Sequence, residues 1–410
     1  MITIAPFKAL RPDAPHAKQV ASRPYDVLNS KEAKVEAQGN PNSFLHVTKS
    51  EIDLPEDIDM HSAAVYEKAK ENLDAFMSRG VLFRESKPCL YIYQLEMHGR
   101  LQTGLVAGSS VDDYEQDRIK KHEFTRPEKE NDRINHIKTT GAQTGNVFLA
   151  YKQVPAIDTV LEKWMTEKNP IYNLEAEDGI HHRIWVINDE AVMEQLVGLF
   201  RSEVPCSYIA DGHHRAASAA KVRQALGADA PAGADYFLTT LFPSNQLRIM
   251  DYNRVVTDLN GHTPEAFLAA LETGFAVSKA DKAVAPAHLH QLGLYLAGQW
   301  YQLDAKLHTY TNDPIGELDV TVLQQHILSP ILGIHDQRTD KRIDFVGGIR
   351  GLVELEKRVN SGEMAAAISL YPVSIEQLFA IADAGEVMPP KSTWFEPKLR
   401  DGLLTHLIHD

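Results

Sequence analysis

The chain has 410 residues, 43% hydrophobic and 24% charged, with a formal net charge of −14, which is too long for one compact core and predicts two or three domains. The acidic balance argues against broad nucleic-acid binding, which works by neutralising phosphates with Lys and Arg, and the isolated Cys89 and Cys206 argue against a zinc site or disulfide framework. No apolar run approaches bilayer length, and "MITIAPFKALRPDAP" lacks the basic segment and apolar core of a signal peptide, so the expectation is a cytoplasmic protein without a membrane partner.

In chain order, "RPYDV" from Arg23 and "GNPNSFLHV" from Gly39 read as ordered turns, and Met60 to Arg79 carries apolar residues at helical spacing up to Gly80. "CLYIYQLEM" and "TGLVAGSSV" read as paired strands around "HGR". "NVFLAY", "RIWVI" and "YFLTTLF" are further strands, and Asp189 to Glu203 a helix. Composition shifts after Asn260. "HTPEAFLAALETGF" opens a helix with Pro264 at its first position, and "LGLYLAGQWYQL" is a hairpin around Ala297-Gly298. Asp319 to Leu332 predicts a helix broken near Pro330, and "AAAISLYPVSIEQLFAIADAGEV" a strand followed by a helix with a Ser374/Gln377 capping box. Both element types alternate, giving a mixed α/β or α+β protein with domains at 1–260 and 261–410.

"YIADGHHRAASAAK", from Tyr208, is the most informative joint. An apolar strand meets an Asp-Gly turn, and the alanine-rich run Ala216 to Leu226, stopped by Gly227, is a helix. His213, His214 and Arg215 then stand as three cationic or hydrogen-bond-donating side chains at a helix N-terminus, where backbone N–H groups suit a phosphate. "RIKKHEFTRPEKENDR" has little apolar periodicity. It is either a solvated charged segment or a loop bringing a carboxylate and cations to a charged substrate. In "GEVMPPKSTWFEPKL", Pro389-Pro390 stiffens a loop that displays Lys391, Ser392 and Thr393, without the glycines of a P-loop. The pairs His181-His182 and His213-His214 lack transition-metal spacing; Asp211 is a candidate ligand for nucleotide-borne magnesium.

Three of these segments resemble one family. "ADGHHRAASA" is similar to the phosphate-binding motif of the ParB/sulfiredoxin-like fold in the form found in free-serine kinases, "KKHEFT" to their His-Glu segment, and "GEMAAAISLYPVSIEQLFAIADAGEVMPPKST" to their C-terminal segment. The whole chain also resembles a family of uncharacterised bacterial and archaeal proteins with "PFKxLRP…PYDV" and "HExTRPEKExDR". The resemblance implies a ParB/sulfiredoxin-like nucleotide-binding core with a smaller C-terminal α/β domain, using ATP or ADP with magnesium to phosphorylate a small hydroxylated metabolite, free L-serine first among them. Glu123 would then be the base, and Asp211 would orient the hydroxyl or hold magnesium. Gly212, His213, His214 and Arg215 would contact phosphates, and Lys391, Ser392 and Thr393 would close the site from the second domain. His122, Arg126 and Arg133 are further candidate contacts. The alternatives are a nucleotide-binding regulator or DNA-associated protein without kinase activity, and a nucleotide hydrolase.

Overall fold

A computed structural model describes residues 1–409. The chain divides into two compact units: Met1–Leu247 together with the C-terminal stretch from Pro397, and Arg248–Glu396. Both are mixed α/β.

The first unit is built on a mixed sheet. Its strands run in the order Ile119–Lys120, Ser207–Asp211, Val147–Tyr151, Tyr236–Pro243, Arg100–Ser110, Leu90–Met97, His181–Ile187 and Tyr172–Glu175, and Ile4–Ala5 pairs with Arg100–Ser110. The hairpin Leu90–Met97/Arg100–Ser110 is antiparallel around His98 and Gly99, as its two β-rich runs around "HGR" predict. Tyr236–Pro243 lies parallel to Val147–Tyr151, and Ser207–Asp211 lies antiparallel to that same strand. The core joins Leu90, Ile92, Leu105, Val147, Leu149, Ile209 and Leu241 to Trp164, Leu196 and Phe200 from the helices Pro155–Glu167 and Glu190–Glu203.

Two helices carry the candidate chemistry. His213–Leu226 buries Ala216, Ala219 and Ala220 in the core of this unit; their small side chains let the helix lie close on the sheet. Pro127–Thr140 packs beside it. That second helix starts with Pro127 at its first position and Glu128 and Glu130 in its first turn, and stops at left-handed Gly141 (φ +68°). It buries Glu130, Arg133, His136, Ile137 and Thr140, so the charged run that reads as solvated in sequence is an ordered helix with a polar inner face. Apolar periodicity cannot reveal such a face. The C-terminal stretch returns to this unit through Leu10–Thr405 and Ser22–Asp401 backbone bonds and the pairing of His406–Leu407 with Ala142–Gln143.

The second unit is an antiparallel sheet in the order Phe275–Ala280, Gln299–Ala305, Gln291–Leu296, Ala366–Ser369, Tyr252–Val256 and Ile343–Gly347. The Ala297-Gly298 hairpin, the Thr263-capped helix Pro264–Leu271 and the Ser374/Gln377 capping box all form as the sequence predicts. One element differs. The segment from Asp319 is helical only to Leu323, then widens through Gln324–Leu328, where Ser329 N–H bonds the Gln324 carbonyl at 3.0 Å, and gives way to turns. Ser329 still has helical dihedrals (φ −73°, ψ −55°), and Pro330, which supplies no N–H to carry the ladder on, follows where the helical stretch ends.

Candidate active site

The strand Ser207–Asp211 is buried up to Ala210 and ends on a partly exposed Asp211. Gly212 follows at φ +96°, ψ +30°, a conformation that only glycine adopts without strain, and turns the chain directly into the helix. The helix therefore begins at His213, three residues before the alanine run, and no side chain caps it. An uncapped helix start of this kind suits an anion. A Cβ at Gly212 would lie 3.4 Å from both Arg215 Cζ and Val147 Cα. Gly212→Ala should accordingly cost about 1–2 kcal/mol of stability, read as a lowered denaturation midpoint; an unchanged midpoint would contradict the strained-turn account.

The two histidines that follow are not cations. Burial pushes His213 well below its ordinary value, with His122 adding to the effect and Asp211 opposing it. Burial likewise lowers His214 to about 4 and His122 to about 4. His213 and His214 act as acceptors. His122 N–H points at His213 Nε2 (3.5 Å), and Arg126 N–H donates to His214 Nε2 (3.0 Å). The His122 ring stands edge-on to His213, with centroids 4.5 Å apart. Two adjacent rings thus pin the segment His122–Arg126 against the helix N-terminus, and the same contact brings Glu123 Oε2 to 3.7 Å from His213 Nδ1. Glu123 keeps 44% of its side chain exposed, and Phe124 and Arg126 are also exposed, so the carboxylate remains reachable.

On the other side of Asp211 lies a charge cluster that sequence reasoning did not find. Lys398 Nζ donates to Asp211 Oδ2 at 3.0 Å. Burial alone would raise the Asp211 carboxyl, but Lys398 and Arg215 outweigh it and hold the group far below the usual carboxylate range. Arg215 folds back beneath its own helix start. It bonds the Asn146 carbonyl and Asp26 Oδ2 (2.9 Å), with Asp211 Oδ2 at 3.9 Å. Its guanidinium is therefore largely committed to fixing Asp211 and the "RPYDV" turn.

Asp401 completes this cluster. It is buried, and its Oδ2 has no hydrogen-bond partner among the described residues. Burial raises its carboxyl to about 7, with Arg215 opposing and Asp26 reinforcing the shift. The folded group holds its proton above the ordinary value of 3.8, so the native state binds more protons than the unfolded chain between about pH 4 and 7, and this contribution to stability falls as pH rises through that window. Asp401→Asn should reduce the decline, seen by comparing melting temperatures at about pH 5 and about pH 8. Asp319, also raised to about 7 by burial, adds its own part to it. An identical pH slope in the variant would exclude Asp401 as its source.

Of the remaining candidate residues, Arg133 adjoins this cluster, lining one cavity with Tyr25 and with Arg215, which lies over the Tyr25 ring at 5.9 Å. Arg133 lies inside the first unit, over the Tyr25 ring at 4.0 Å and paired with Asp132 at 2.7 Å, beside a cavity of about 20 Å³. Lys391, Ser392 and Thr393 belong to the second unit: Lys391 is exposed at φ +60°, and the Ser392 hydroxyl turns inward to the Pro389 carbonyl at 2.6 Å. His182 is buried and bonded through Nδ1 to the Tyr93 hydroxyl at 2.9 Å. Among the described residues no group of three or more His, Cys, Asp or Glu is placed to hold a metal, and no helix is long and apolar enough to cross a membrane. Asp211, ionised and partly exposed, fits the one hard oxygen that a nucleotide-borne magnesium ion takes from a protein.

Three solved structures show a limited likeness. A free serine kinase in complex with AMP is 15% identical, over 71% of this chain and 86% of its own, with a TM-score of 0.36. A conserved hypothetical protein from Pyrococcus furiosus is 16% identical over 73% and 94%, with a TM-score of 0.36. C-terminally truncated SbnI from Staphylococcus aureus is 13% identical over 74% and 87%, with a TM-score of 0.39. None of the roles assigned below rests on these overlaps. No curated protein matches the chain. The model of the family described as "Protein of unknown function (DUF1015)" matches residues 4–321, and the chain belongs to that family.

Proposed function

We propose that the protein is a nucleotide-dependent phosphotransferase acting on the hydroxyl of a small metabolite, with free L-serine the first acceptor to test. One observation carries this reading. An ionised Asp211 held by Lys398, an uncapped helix N-terminus, and a reachable Glu123 at 3.7 Å from that helix's first side chain are assembled at one turn. Phosphoryl transfer requires this combination of positioning, positive potential and a proton acceptor.

In this reading the N–H groups after Gly212 receive phosphate oxygens, and Lys398 offsets the charge that gathers on them. Glu123 takes the proton from the acceptor hydroxyl as its oxygen bonds phosphorus; the bond from phosphorus to the leaving nucleotide oxygen breaks, and that oxygen keeps the electron pair. Asp211 orients the hydroxyl or serves as the protein ligand to magnesium, which would offset phosphate charge. His213 and His214, both neutral, position Glu123. Lys391 and Thr393 are proposed as further phosphate contacts from the motif resemblance, and Ser392 as a brace of their loop.

Calorimetric titration with ATP and ADP in magnesium tests the binding half of the proposal. Saturable binding of at least one nucleotide is expected, and no binding of either overturns the reading. Binding without transfer to any acceptor would favour a regulator, and release of inorganic phosphate without an acceptor would favour a hydrolase.

A further inference from the structure

The second unit holds a buried positive charge that no carboxylate among the described residues answers. Arg254, in the strand Tyr252–Val256, is 0% exposed. Its Nε donates to Gln337 Oε1 at 3.1 Å, its Nη1 to the Tyr252 carbonyl, and its Nη2 to the Pro390 carbonyl at 3.2 Å. All three acceptors are neutral. The flat faces of the pocket are aromatic, with Phe345 at 5.0 Å and Tyr252 at 5.8 Å from the guanidinium carbon. Burial lowers the group only to about 10, so it stays charged at neutral pH. A guanidinium removed from water is strongly disfavoured unless an anion lies near it, and a neutral residue of similar volume would fill such a space with less penalty.

The Pro390 contact shows where that charge acts. The loop Pro389–Thr393 is held from beneath at two successive carbonyls: Ser392 Oγ donates to that of Pro389 at 2.6 Å, and Arg254 to that of Pro390. Between them Lys391 is forced to φ +60°, a left-handed conformation that a non-glycine side chain takes only under constraint. Lys391 Nζ lies 5.8 Å from the Tyr252 ring centroid, so the same ring has both cations against it. Two positive charges and a fixed backbone thus meet at one exposed loop.

We propose that Arg254 is a positioning residue that braces the Pro389–Thr393 loop as a receptor for a phosphate-type oxyanion, whose charge balances its own. The choice of phosphate over another oxyanion rests on the phosphotransferase reading; the brace and the unanswered charge do not.

Trp394, the next residue after the loop, packs edge-on to Tyr252 with centroids 5.0 Å apart and offers a local probe. The full-length protein is titrated with inorganic pyrophosphate, and the Trp394 signal is taken as the fluorescence difference between wild type and Trp394→Phe. A saturable response is expected. Arg254→Met, which removes the brace and its charge, should weaken it by about tenfold or more, whereas Arg254→Lys, which keeps the charge, should recover most of it. A purely structural arginine would change the melting temperature without changing the affinity of the folded molecules. Wild-type affinity in folded Arg254→Met overturns the proposal. If the Met variant does not fold, a folded Arg254→Lys that has lost the response overturns it equally. An equal response to acetate removes the phosphate assignment. A protein that transfers no phosphate yet shows the Trp394 response defeats the enzymatic reading and leaves this one standing.

Discussion

Glu123→Gln is expected to fold and bind nucleotide like the wild type while phosphoryl transfer falls by about 10²–10⁴-fold. A metabolite hydroxyl is a poor nucleophile, and Glu123, 3.7 Å from His213 Nδ1, is the proposed proton acceptor beside the proposed phosphate-binding turn. The loss corresponds to about 2.7–5.5 kcal/mol of barrier, at about 1.4 kcal/mol per factor of ten. Truncating a merely solvated glutamate would shift stability by no more than about 0.5 kcal/mol and leave turnover alone. The amide keeps the shape and removes the basicity, so kcat should collapse with little change in nucleotide affinity. A variant that turns over as fast as the wild type would remove Glu123 from the mechanism.

Lys398→Met should be nearly as damaging, by a different route. Removing one preorganised charge donor from a developing phosphoryl group costs about 10²–10³-fold in turnover. It also takes away the largest of the interactions that keep Asp211 ionised against its own burial. The sign follows directly. In the wild type Asp211 stays charged well below the ordinary carboxylate range; without Lys398, burial raises it and the acidic limb of the activity profile moves to higher pH. The pair is partly exposed, at 17% and 29% for the two side chains, so stability should change little. A drop in rate with an unmoved acidic limb would separate Lys398 from Asp211 and assign it to the phosphate alone.

The sequence made the backbone of this site legible and concealed much of its charge. The strand, Asp-Gly turn and helix around Asp211 were readable because turn and helix propensities act locally, as were the Leu90–Ser110 hairpin and the Ser374 cap. His213 and His214 read as cationic or hydrogen-bond-donating side chains; burial keeps them neutral, and they accept from the backbone N–H groups of His122 and Arg126 on either side of Glu123. Lys398 meets Asp211 across 187 residues of chain, and Asp26 meets Arg215 across 189; no periodicity or spacing encodes such a pairing. The available signals were "RPYDV", which reads as an ordered turn, and "EPKLRDG", a short run that mixes charge with proline and glycine. Helix Pro127–Thr140 was obscure for a related reason, because its inner face is polar and an apolar template assigns it to solvent. Arg254 lies in the short run "YNRVV", where no motif marks it, and only its 0% exposure shows a buried charge.

The central claim is that this cluster transfers a phosphoryl group to a small hydroxyl. Phosphorus NMR of the purified protein with ATP or ADP, magnesium and a panel of hydroxy amino acids tests it most directly. The account predicts a new phosphomonoester resonance that grows with the loss of nucleotide phosphate, appears with serine present, and is absent with Glu123→Gln. A wild-type protein that forms no phosphoester from any of these acceptors with either nucleotide would contradict it.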